Sequence, residues 1–85
     1  ESLYRQMAEM DEVEVYPSEA NFLLFRVKNA NVIFDGIKRH GILIKNLNKG
    51  HPMLKDCLRV TVGLQEENNK FIAALRETII QSAQG

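Results

Sequence analysis

The segment Cys57-Leu58-Arg59-Val60-Thr61-Val62-Gly63 alternates apolar and polar side chains with a period of two. An extended strand sorts such a run onto two faces, so Leu58, Val60 and Val62 cover a core while Arg59 turns away beside Thr61. A lone strand of this kind is unstable in water. The rest of the chain has to supply paired neighbours and a layer over the apolar face. An arginine fixed on a strand presents a planar fork that binds two oxygens of a carboxylate or phosphate at once. From periodicity alone, however, the commoner fate of Arg59 is a weak surface ion pair.

The remaining chain offers those neighbours. Residues 1 to 10 carry a helical stripe of Leu3, Met7 and Met10, so the chain reads as beginning inside a helix, as an excised piece would. Val13 and Val15 alternate with Glu12 and Glu14 as a short strand with one wet face, and Tyr16-Pro17-Ser18-Glu19 reads as a turn. Phe22-Leu23-Leu24-Phe25 is apolar on both faces and should be the most buried strand. Asn29 or Asn31 can cap a helix bearing Val32, Ile33, Phe34 and Ile37, which His40-Gly41 ends. Ile42-Leu43-Ile44 reads as a further strand, residues 46 to 56 as a polar loop long enough to border a site, and Leu58 to Val62 as the last strand. Glu66 and Glu67 suit the positive end of a final helix whose buried stripe is Phe71, Ile72, Leu75 and Ile79. The expected fold is one α+β domain over residues 1–85. It is a two-layer sandwich of helices on a small, mostly antiparallel or mixed sheet, in the order α-β-β-α-β-β-α.

Composition narrows the function. The 85 residues include 11 basic and 11 acidic side chains, which leaves no basic stripe for nucleic acid. No apolar run approaches the ~20 residues of a membrane span, and a single cysteine fits a reducing, cytoplasmic setting. There is no nucleophile–base set, no metal-ligand spacing and no phosphate loop, so no catalytic residue and no metal ligand is assigned. Cys57 reads as a packed thiol, His40 as a helix-end cap, and His51 has no second ligand at metal spacing. Lys45 closes the strand before the loop and adds a second positive charge near Arg59 if the two strands pair. Asn21 follows the turn, where a turn-stabilising side chain is the commoner role.

Three blocks in order, Tyr16-Pro17-Ser18-Glu19-Ala20-Asn21-Phe22, His40-Gly41-Ile42-Leu43-Ile44-Lys45 and Cys57 to Gly63, resemble the C-terminal segment of histidinol-phosphate aminotransferase, as does Glu66-Glu67-Asn68 with the apolar helix after it. The resemblance implies the small domain of a pyridoxal-phosphate enzyme of fold type I, usually a homodimer. Such an enzyme moves an amino group between histidinol phosphate and 2-oxoglutarate, with glutamate as the returning donor. By position Arg59 becomes the residue that holds the substrate carboxylate or phosphate. Lys45 stands where a second basic residue, commonly arginine, is expected, and Asn21 lies close to the site. Other aminotransferases of fold type I share a looser version, and a stand-alone α+β binding module is the alternative outside that class. The resemblance also implies a partner within the same polypeptide, a large domain carrying the Schiff-base lysine and the cofactor phosphate cup. None of their motifs occurs here, so the 85 residues are expected neither to bind pyridoxal phosphate nor to transaminate alone.

Overall fold

The structure, a computed structural model, describes residues 2–17 and 21–84. Three helices, α1 (Ser2–Ala8), α2 (Ala30–Arg39) and α3 (Gln65–Gln84), alternate with strands β1 (Val13–Tyr16), β2 (Phe22–Val27), β3 (Lys45–Asn46) and β4 (Cys57–Thr61), with a 3-10 turn at Pro52–Leu54. The element order is the expected one. The sheet is antiparallel at every pairing, in the order β1-β2-β4-β3, which removes the mixed alternative. Ser18, Glu19 and Ala20, which complete the expected turn, lie outside the described residues.

Alternation builds the core. Val13, Leu23, Phe25, Val27, Leu58 and Val60 share one face of the sheet and meet Leu3 and Met7 of α1, Ile33 and Ile37 of α2, and the α3 stripe of Phe71, Ile72, Leu75 and Ile79. Phe25 and Phe71 meet edge to face, with ring centroids 5.9 Å apart. All three helices therefore lie on one side. The opposite face carries Glu14 and Tyr16 of β1, Phe22, Leu24 and Arg26 of β2, Cys57, Arg59 and Thr61 of β4, and Lys45 of β3.

This one-sided layering corrects the reading of Phe22–Phe25 as buried on both faces. Leu23 and Phe25 are buried, but Phe22 is 36% exposed and Leu24 is only half-buried. The strand expected at Ile42–Ile44 begins only at Lys45 and is two residues long. The cause is the end of α2. Gly41, at φ +83°, lets its N–H bond the Lys38 carbonyl (2.9 Å) while Ile42 N–H returns to the Ile37 carbonyl (3.4 Å), a Schellman termination. Those bonds take the chain through Gly41 and Ile42 before it can extend along β4.

Asn29 occupies the N-cap of α2 with left-handed backbone angles, yet its side chain makes no capping bond. Asp56 substitutes from the far end of the loop, its Oδ1 accepting from Ala30 N–H at 3.5 Å. Asn31 binds elsewhere, accepting from Asn46 Nδ2 (2.9 Å) and Asn48 Nδ2 (3.2 Å), which ties β3 and the loop to α2. The start of α3 matches expectation and adds detail. Glu66 and Glu67 lie in its first turn, and Glu67 Oε1 accepts from Leu64 N–H at 3.1 Å, half of a capping box.

Candidate functional site

Register places Arg59 of β4 directly opposite Lys45 of β3 on one side and Leu24 of β2 on the other. Directly opposed side chains on one face have Cβ atoms about 5 Å apart, and like charges so placed repel. Among the described residues no carboxylate comes within ion-pair distance of either cation. The Arg59 guanidinium instead lies over the Phe22 ring, 4.7 Å from its centroid. Phe22 pairs with Thr61, so the ring reaches Arg59 along the diagonal of the ladder. The result is two adjacent cations, an aromatic face and a hydroxyl on an open sheet surface, a combination that attracts a carboxylate or a phosphate.

The other end of the same face is closed. Arg26, opposite Cys57 and Glu14, donates through Nε to the Lys55 carbonyl (3.0 Å), through Nη2 to the Met53 carbonyl (2.7 Å) and through Nη1 to the Tyr16 hydroxyl (2.8 Å), with Glu14 Oε1 at 3.9 Å. Attraction to Cys57 is the largest influence raising its pKa, against a smaller opposing effect of desolvation. Burial, then the hydrogen bond to Glu14, raises the Tyr16 pKa above its ordinary value although Arg26 pulls the other way. Tyr16 therefore remains a neutral phenol at pH 7. Sequence reading passed over Arg26. The available signal was period two, which sets Arg26 in one row with Phe22 and Leu24.

Of the residues singled out from the sequence, the structure joins Arg59 and Lys45 but leaves Asn21 apart. Asn21 precedes β2, and its carbonyl accepts from Val62 N–H at 2.6 Å. No side-chain hydrogen bond among the described residues ties it to either cation. Cys57 is buried, as a packed thiol should be. His40 meets the Gly36 carbonyl through Nδ1 (2.9 Å) and Glu77 through Nε2 (3.5 Å), the helix-end role expected. His51 caps the 3-10 turn by accepting from Met53 N–H. Among the described residues no group of three His, Cys, Asp or Glu side chains could hold a metal, and no helix is long and apolar enough to cross a membrane. Two clefts, of about 340 and 330 Å³, open away from Arg59 and Lys45. One is floored by Val27, Ile33 and Ile79, the other by Val60 and Phe71. The cationic pair is thus one wall without an opposing one.

Fold and site together define a class, a two-layer α+β unit that recurs inside larger enzymes. A solved L-threonine-O-3-phosphate decarboxylase from Porphyromonas gingivalis matches 94% of this chain with a TM-score of 0.79 and 26% identity, using 25% of its own length. A decarboxylase from Sulfurospirillum multivorans matches 89% with a TM-score of 0.80, using 23% of its length; at 24% identity it shows the fold alone. No protein-family model matches the chain. Curated relatives narrow the class: histidinol-phosphate aminotransferases from Methylibium petroleiphilum (54% identical over 61 residues, 72% of this chain), Vesicomyosocius okutanii (46% over 70 residues, 82%) and Nitrosococcus oceani (49% over 76 residues, 87%). The chain belongs to the histidinol-phosphate aminotransferase family and spans 16% to 21% of the length of these relatives.

Proposed function

We propose that this chain is the C-terminal small domain of a cytoplasmic, homodimeric histidinol-phosphate aminotransferase. In that role Arg59, supported by Lys45, anchors the substrate anion, and Asn21 borders the site. The observation that carries this reading is the Arg59–Lys45 pair, two opposed cations with no carboxylate among the described residues to neutralise them. A shared anion converts their mutual repulsion into attraction. The names of the relatives point the same way, since histidinol phosphate and L-threonine-O-3-phosphate both carry a phosphate ester. Guanidinium and ammonium divide the work. Arg59 offers a two-pronged grip that fixes orientation, whereas Lys45 offers a compact charge that follows the anion without fixing its angle.

Pyridoxal phosphate, when bound, supplies the electron sink for amino transfer. The residues of this chain do not form its cradle. Lys28, Lys38, Lys45, Lys49, Lys55 and Lys70 are all exposed, whereas a lysine that attacks a carbonyl is activated by desolvation or a neighbouring cation. The cofactor and the proton-transfer groups are therefore placed on a large domain of the same polypeptide. What this chain does is bind and orient. It grips the substrate anion at one end, so that the reacting carbon, at the other, lies where the large domain can act on it.

The test uses the full-length protein assayed with histidinol phosphate and 2-oxoglutarate, and with other amino donors for comparison. Arg59→Ala is expected to lower kcat/KM for histidinol phosphate about 100-fold or more, the loss of a charge-assisted, two-pronged contact. An unchanged kcat/KM rejects Arg59 as the anchor, and a preference for a donor without phosphate rejects the substrate.

A further inference from the structure

We infer that Phe22 is a positioning residue for Arg59, an inference that rests on the anchor reading above. A long arginine side chain on an open surface has many rotamers, and binding an anion means freezing one of them. Here the guanidinium already rests on the Phe22 ring at 4.7 Å, and the cross-strand pairs Phe22–Thr61 and Leu24–Arg59 fix both residues in register. A carboxylate could hold the arginine equally well, but it would neutralise the charge and occupy the N–H groups needed by the ligand. An aromatic face attracts the cation without doing either, because ring and guanidinium meet flat and the N–H edges stay in the plane. The exposure of Phe22 fits this role. At 36% it contributes little to the core, and its neighbours in sequence, Leu23 and the half-buried Leu24, differ from it in that neither faces a cation with its ring.

The experiment is carried out in the full-length enzyme with Phe22→Leu, Phe22→Tyr and Arg59→Gln, alone and combined, following KM and kcat for the phosphate-bearing substrate together with Tm. Phe22→Leu should raise KM about 3- to 10-fold with kcat within about twofold, the range expected for losing one cation–π contact. Phe22→Tyr, which keeps the ring face, should restore KM to within about twofold. In the Arg59→Gln background the same Phe22→Leu change should have no further effect on KM. Overturning results are an unchanged KM in Phe22→Leu, a change in Tm alone, or an equal KM effect whether or not Arg59 is present. If Arg59→Gln itself leaves kcat/KM intact, the anchor reading fails first, which separates the two failures.

Discussion

Arg26 and Arg59 stand on adjacent strands of one sheet, on the same open face, and their situations are opposite. Arg26 spends its donors inside the molecule, on two loop carbonyls and a phenol, with a carboxylate close by. Arg59 touches only the Phe22 ring among the described residues and faces a second cation across the ladder. The same side chain is structural where its hydrogen bonds close on the fold and available where they do not. Charge and exposure alone would not separate the two, since both are half-buried.

That contrast is best broken from the Arg59 end. The loss of about 100-fold in kcat/KM expected for Arg59→Ala should come with no fall in Tm, because the side chain holds no other element in place. Next in size is Lys45→Ala, expected to raise KM for the substrate anion about 10-fold, with Lys45→Arg retaining affinity; steady-state kinetics at two salt concentrations would show the weaker salt dependence of the alanine variant. At the closed end, Arg26→Ala should act on stability instead. A Tm drop of roughly 5 °C is expected, together with faster labelling of Cys57 by a thiol reagent and a KM within about threefold of the parent. A loss of activity as large as that of Arg59→Ala, with Tm unchanged, would erase the distinction. The smallest effect belongs to Tyr16→Phe, which removes one partner of Arg26 and should lower Tm by only about 1–2 °C.

Much of the open face could be read from the chain, and the part that could not has a physical cause. Leu58 to Val62 and Val13 to Val15 alternate cleanly, so their faces, and the outward turn of Arg59, follow from period two. The Lys45–Arg59 pairing followed from strand order once the two strands were taken as neighbours. Phe22 and Leu24 misled because apolar residues on both faces signal burial on both sides, and nothing within these residues supplies the second cover. The short β3 was displaced by hydrogen bonds at the end of α2, a backbone event that the Gly41 signal predicted in kind but not in its reach along the chain. Arg26 was missed because its partners are main-chain carbonyls of Met53 and Lys55, which no side-chain pattern advertises.

The asparagine cluster at the sheet edge carries a consequence for the spacing of charge. β3 has only two residues, so its own ladder supplies little to fix its alignment along β4. Asn31 on α2 accepts from both Asn46 and Asn48, and so sets that alignment from the opposite layer. A shift of a single residue would turn Lys45 toward the helices and bring Asn46 beside Arg59. Which side chain stands opposite the guanidinium is thus decided by a helix residue that touches neither cation, and a change at Asn31 would alter the charge of the site without altering any residue in it.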